Sequence, residues 1–258
     1  MPRPHTPTSL PGCASLSLRD TNPALVDLTR APGRVELSGR VLTNWWAKNT
    51  GLLRDELGLA EGSTVLLRAA ASWRTVPLVL AALGLGATVI EAPPDAAGSS
   101  PAGTAPHAVR AAEVDLVIAD SLADEDTLTA SELLAVATEP LAFEFPEPLP
   151  AWATDHAAQV RAQPDAFELD PGAAGEARWA VSGSEGSLAQ LEERAAAEAA
   201  AGAAGAVSSL SSDAGVLAAV AQLLAAGEGS VVLHAGPAPE ERVVQQERIT
   251  RAGGLTLR

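Results

Sequence analysis

Short apolar runs alternate with amphipathic stretches along most of this chain. Ala24 to Leu28 and Arg34 to Leu37 predict two strands around a turn at Pro32-Gly33. Ser38 is placed to cap a helix running to about Gly58, with Leu42, Trp45, Trp46, Leu52, Leu53 and Leu57 mostly on one face. Ser63 to Arg68 reads as a buried strand, Ser72 to Leu85 as a helix ended by Gly86, and Thr88 to Glu91 as the next strand. Residues 92–106 read as a surface loop, and His107 to Ala112 as a short helix leading into a strand over Val114 to Ala119.

The pattern then breaks. Four prolines, Pro140, Pro146, Pro148 and Pro150, exclude a central strand or helix over residues 139–150. Beyond them, Trp152 to Gln163 predicts a helix, Arg178 to Ser182 a strand, and 183–187 a Gly/Ser turn. Leu188 to Ala201 predicts a helix and Ala206 to Leu210 a strand. Asp213 is placed to cap a helix that carries Val216, Leu217, Val220, Leu223 and Leu224 on one face. Val231 to His234 predicts a strand, Glu240 to Thr250 a helix and Leu255 to Leu257 a last strand. Alternating strands and helices predict an α/β fold: a mostly parallel, layered sheet with helices on both faces. The predicted organisation is a flexible tail over 1–20, a first α/β lobe over 21–138, a proline-rich connector over 139–150 and a second α/β lobe over 151–258.

Composition narrows the chemistry. The chain has 258 residues, 47% of them hydrophobic, enough for a sizeable core. One cysteine, Cys13, excludes a disulfide scaffold. A net charge of -15 argues against nucleic acid or an anionic membrane surface as partner. The longest apolar stretch, Val76 to Ile90, spans 15 residues and is broken by Gly84, Gly86 and Thr88. A membrane span needs about 20, so the expected location is the cytoplasm. Lys48 is the only lysine among 17 Lys+Arg, so any lysine-dependent step must use it, and its amphipathic helix points it to solvent.

The histidines His5, His107, His156 and His234 lack metal-ligand spacing. His107 and His156 read as exposed residues at helix starts, and His234 as the end of a strand. The acidic group Asp120, Asp124, Glu125 and Asp126 reads as a solvated loop or helix start. No metal or cofactor is expected. Ser182-Gly183-Ser184-Glu185-Gly186 nearly matches a nucleophile elbow. Ser184, Asp213 and His234 follow in the order nucleophile, acid, base, which is a serine-hydrolase reading.

Several segments in a fixed order resemble the adenylate-forming superfamily: acyl-CoA ligases, luciferases and peptide-synthetase adenylation domains. They are Val35-Glu36-Leu37-Ser38, the run from Leu57 through Gly58, Gly62 and Ser63 to Leu67, the run from Ala81 through Gly84 and Gly86 to Ile90, and Ala112 to Asp120. The resemblance extends to a family of short actinobacterial proteins built from the first part of that fold. It implies the N-terminal domain of such enzymes without the C-terminal lid. In the superfamily, a phosphate loop of the form (S/T)-S-G-(S/T)-T-G-x-P-K-G binds the nucleotide. Here the matching residues are Ser182, Gly183, Ser184, Glu185, Gly186 and Ser187. Glu185 replaces a threonine, and the Pro-Lys-Gly end is missing. A carboxylate beside a triphosphate is repulsive.

The resemblance therefore implies a motif-degenerate, truncated relative, a pseudoenzyme that binds a small ligand or a protein partner, with ATP or AMP as the nucleotides to test. The alternatives are an AMP-binding, acyl-activating enzyme completed by a partner chain and the serine hydrolase through Ser184. The same turn has a plainer reading, in which Ser184 or Ser187 caps the following helix.

Overall fold

The computed structural model describes residues 21–30, 33–92, 109–166, 173–181, 184–201, 205–226 and 229–252. The tail over 1–20, His107, the 92–106 loop beyond Ala92 and the expected strand Leu255 to Leu257 lie outside the described residues.

The chain opens with an antiparallel pair, β1 (Pro23–Leu28) and β2 (Val35–Ser38). The Ser38 hydroxyl accepts from the Val41 amide at the start of α1 (Gly39–Gly51), as the sequence predicted. The helix widens into a π turn over Leu52–Glu56 and ends at Gly58, whose φ of +66° suits a residue without Cβ. There follow β3 (Thr64–Arg68), α2 (Thr75–Gly84), β4 (Thr88–Glu91), β5 (Leu116–Ala119), β6 (Leu133–Ala135), β7 (Thr154–Asp155) and α3 (His156–Gln159). The last part contains α4 (Ala173–Glu176), β8 (Arg178–Val181), β9 (Ser184–Ser187), α5 (Leu188–Ala201), β10 (Val207–Ser211), α6 (Val216–Ala225), β11 (Ser230–His234), α7 (Glu241–Gln246) and β12 (Arg251–Ala252).

These strands form two sheets. One runs β12-β10-β11-β1-β2 and the other β7-β6-β5-β3-β4-β8-β9. Among the described residues every pairing is parallel except β1 with β2 and β8 with β9, one antiparallel pair at an edge of each sheet. The fold is α/β and mostly parallel. Each sheet takes strands from both sides of residues 139–150, so that proline-rich segment is not a division between sheets.

Helices α2 and α6 pack against each other, and all of their residues are buried. One continuous core joins them to Leu67 and Val89 of the seven-stranded sheet and to Leu25 and Val231 of the five-stranded sheet. A helix apolar on every side must be covered on every side, and burying each leucine contributes roughly 1.5–3 kcal/mol. This central layer therefore holds the two sheets together. Among the described residues, no helix is long and apolar enough to cross a membrane.

Three sequence expectations change. Of the helix expected over His107 to Ala112, the described residues carry a single 3-10 turn at Ala111–Glu113. The helix expected over Trp152 to Gln163 is interrupted: β7 takes Thr154–Asp155, and α3 begins only at His156. Asp155 sets that boundary, because its Oδ1 accepts the amides of Ala157 and Ala158. Finally, β6 has no counterpart in the sequence reading. Its three residues are all buried, and three apolar residues are too few to show a period.

Candidate functional site

The Gly/Ser segment expected to be a phosphate loop folds as a hairpin. Val181 pairs with Ser184, Ala180 with Glu185, Trp179 with Gly186 and Arg178 with Ser187. Residues 182 and 183 lie outside the described residues. Two of the remaining motif residues have structural work. Gly186 lies against the Trp179 indole, where an added Cβ would sit 2.9 Å from the ring. The Ser187 hydroxyl accepts from the Gln190 amide at 3.3 Å, and the Gln190 side chain accepts from the Ser187 amide at 2.9 Å. That reciprocal capping box starts α5, so the plainer reading of Ser187 holds. Glu185 is exposed.

The hydrolase constellation does not assemble. Ser184 opens strand β9 rather than sitting at a sharp strand-to-helix turn, so the elbow is absent. Ser184 belongs to the seven-stranded sheet, whereas His234 ends β11 of the five-stranded sheet. The His234 ring is buried, and its Nδ1 bonds the Ala235 carbonyl. Among the described residues, no hydrogen bond joins Ser184, Asp213 and His234.

Asp213 does not cap α6 either. It lies in a 3-10 turn over Ser212–Ala214, where its amide donates to Ser211 Oγ. The cap comes from Glu91 at the end of β4, in the other sheet. Val216 N–H donates to Glu91 Oε1 at 2.5 Å and Leu217 N–H to Oε2 at 3.1 Å. The carboxylate is buried, and burial pushes its pKa up to about 7 against the pull of the two amides. Gly215 makes this approach possible: its φ is +94°, and a Cβ there would stand 2.7 Å from a Glu91 oxygen. No sequence signal links Glu91 to Val216, because a cap from another strand has no fixed spacing.

Lys48 and His156 change role. Lys48 does not point to solvent. Its ammonium donates to the Gln163 and Arg161 carbonyls and pairs with Asp165 at 2.9 Å, tying α1 to the segment after α3. His156 is fully buried, not exposed, with Nε2 2.8 Å from Asn49 Oδ1. Trp46 is core, and half-buried Trp45 meets Trp73 edge-to-face at 5.1 Å, with the Arg74 guanidinium over both rings. In the acidic group, Asp124 and Asp126 pair with Arg68 at 2.9 and 2.7 Å, and Asp120 accepts the Ala70 amide. Among the described residues, no group of three His, Cys, Asp or Glu side chains is placed to hold a metal.

The same layered arrangement occurs in solved enzymes. An acyl-CoA synthetase of Brucella canis superposes with a TM-score of 0.68 at 19% identity, over 96% of this chain and 48% of that one. The chain has the fold of the N-terminal part of adenylate-forming enzymes. The amide bond synthetase McbA of Marinactinospora thermotolerans matches with a TM-score of 0.61 at 17% identity, covering 95% and 47% of the two chains. A fatty acyl CoA synthetase of Mycobacterium tuberculosis matches with a TM-score of 0.59 at 16% identity, covering 94% and 48%. The chain thus spans about half the length of these structures. In sequence, it is 33% identical over 177 residues to a TIGR03089 family protein of Mycobacterium tuberculosis (strain ATCC 25618 / H37Rv), which is 65% of this chain and 66% of that protein. No protein-family model matches the chain.

Proposed function

We propose that this chain is a binding domain on the adenylate-forming fold that does not itself make acyl adenylates and takes a small ligand or a protein partner. One observation carries this reading: the described residues of the stretch that matches the phosphate loop pair antiparallel with β8. Its Gly186 and Ser187 are committed to packing and capping, and it presents Glu185 to solvent. Phosphate cradles depend on free backbone N–H groups and added positive charge. The sole lysine, Lys48, is held elsewhere by Asp165 and two carbonyls.

The test has two arms. Pyrophosphate exchange with a panel of carboxylic acids is expected to stay at background, and a measurable rate overturns the reading. Thermal denaturation with ATP, AMP, an acyl-sulfamoyl-adenosine and CoA locates any surviving nucleotide affinity. A ligand at a hundred times its Kd stabilises the native state by about 2.7 kcal/mol. A second reading is an acyl-activating enzyme completed by another chain. It is supported by the match to about half of each synthetase. Exchange activity that appears only when a separate lid domain is added would favour it over the first.

A further inference from the structure

A pocket of about 360 Å³ opens where the π turn that ends α1 meets β7 and α3. Two irregularities of the chain build it. The wide turn over Leu52–Glu56 is of a rare kind that recurs at functional sites. Asp155 holds α3 back to His156, which leaves Thr154 and Asp155 as strand residues in the pocket lining. Leu52, Leu57 and Leu149 supply an apolar wall. Glu56 and Asp155 supply negative charge, and among the described residues no lysine, arginine or histidine lines the pocket.

The two carboxylates differ in freedom. Asp155 is fixed: its Oδ1 accepts the amides of Ala157 and Ala158, and its Oδ2 accepts that of Phe145. Glu56 is exposed, and Gln163 Nε2 reaches its Oε1 only at 3.5 Å, so it is left to meet an incoming charge. The pocket also sits at the C-terminal end of a helix, where the backbone dipole is negative. These features select the occupant. An anion is repelled by both carboxylates and by the helix end. A bare metal ion lacks ligands, because the oxygens of Asp155 are taken and, among the described residues, no three His, Cys, Asp or Glu side chains gather to hold one. A wholly apolar molecule gains nothing from Glu56. An ammonium group on a short apolar chain uses both the charge and the leucine wall. The volume sits at the small end of ligand pockets, which run from roughly 300 to 1,000 Å³. We propose that this pocket binds a small primary amine in its cationic form, with the ammonium on Glu56 and the chain against Leu52, Leu57 and Leu149. The proposal names a small ligand for the binding-domain reading. It does not depend on whether the chain makes adenylates, because no lining residue belongs to β8 or β9.

Nitrogen-15 NMR of the full chain tests this with n-hexylamine, n-hexanol and hexanoate as probes. The amine is expected to shift the amides of residues 52–57 and 153–159 saturably, with n-hexanol weaker and hexanoate silent. Glu56→Gln, at an exposed side chain, should weaken the amine by about two- to fivefold, the size of one exposed ion pair, and leave n-hexanol unchanged. Gln159→Glu adds a carboxylate to the lining and should strengthen the amine by a similar factor. Amine shifts that are absent from these residues, scattered over the acidic surface, or equal in the Glu56→Gln variant overturn the proposal. Hexanoate binding at these residues overturns it equally. A measurable pyrophosphate exchange rate would instead overturn the binding-domain reading and leave the amine result standing.

Discussion

Two serine–glycine turns, each leading from a strand into a helix, look alike in sequence and work differently. The first, over 184–187, is settled locally: Ser187 and Gln190 cap each other, and Gly186 makes room for Trp179 a few residues back. The second, over 211–215, is settled from a distance. Its own acid, Asp213, lies in the 3-10 turn before the helix, and Glu91, 125 residues earlier than Val216, takes the helix start. In the segment that resembles a chemical motif Gly186 packs and Ser187 caps, and the one that resembles a plain cap holds a buried carboxylate with an altered pKa. Motif resemblance depends on neighbours along the chain, whereas electrostatic environment depends on neighbours in space.

The contrast is sharpest at Gly215. Its backbone, φ +94° and ψ 167°, lies in a region that costs a residue with a side chain roughly 1–3 kcal/mol. An added Cβ also meets the Glu91 carboxylate, and such overpacking costs typically 1–3 kcal/mol. Gly215→Ala should therefore destabilise by about 3 kcal/mol, the largest single effect expected here. At 2–4 °C per kcal/mol for a chain of this class, calorimetry should show Tm falling by roughly 10 °C. A fall of a degree or two would mean that Glu91 moves aside at little cost.

Glu91 also predicts a pH dependence. Its folded pKa of about 7 lies above the ordinary 4.5, so the native state holds the proton more tightly than the unfolded chain. Its contribution is present at low pH and is lost as pH rises from about 4.5 to about 7, a span worth ~3 kcal/mol. His156 acts in the opposite sense. Its pKa falls from 6.5 to about 3, so its contribution is present at neutral pH and lost as pH falls through that range. Denaturant titrations across pH should show Glu91→Gln lacking the loss that sets in as pH rises from about 4.5 to about 7, while keeping the loss on acidification. Parallel curves for the two proteins would show that Glu91 keeps an ordinary pKa.

At the first turn the expected effects are smaller. Ser187→Ala removes one member of the capping box, and lost caps cost about 1 kcal/mol. Urea denaturation should show that shift in midpoint with an unchanged slope. The capping serines explain why much of the fold was legible in the sequence. Ser38, Ser187, Gly58 and Gly86 mark helix ends by local chemistry, and strands such as Leu116–Ala119 are apolar throughout. The failures were non-local. His156 begins a helix, where polar residues are usually exposed, yet α1 covers it through Asn49. Lys48 is on an amphipathic helix, yet a later segment supplies carbonyls for its ammonium.

Glu185 gives the finest test of the comparison. It is exposed on an edge strand opposite Ala180, so Glu185→Thr should change stability by less than about 0.5 kcal/mol. The substitution also restores the residue that the phosphate-loop pattern carries there. If repulsion by Glu185 were the sole barrier to nucleotides, the variant would gain thermal stabilisation by ATP. The expected outcome is no gain. Removing a negative charge does not supply the lysine that the pattern requires, and Gly186 and Ser187 stay committed to Trp179 and Gln190. An ATP-dependent rise in Tm in this variant alone would make the first turn a silenced phosphate loop, and the two turns would then differ by one side chain rather than by their surroundings.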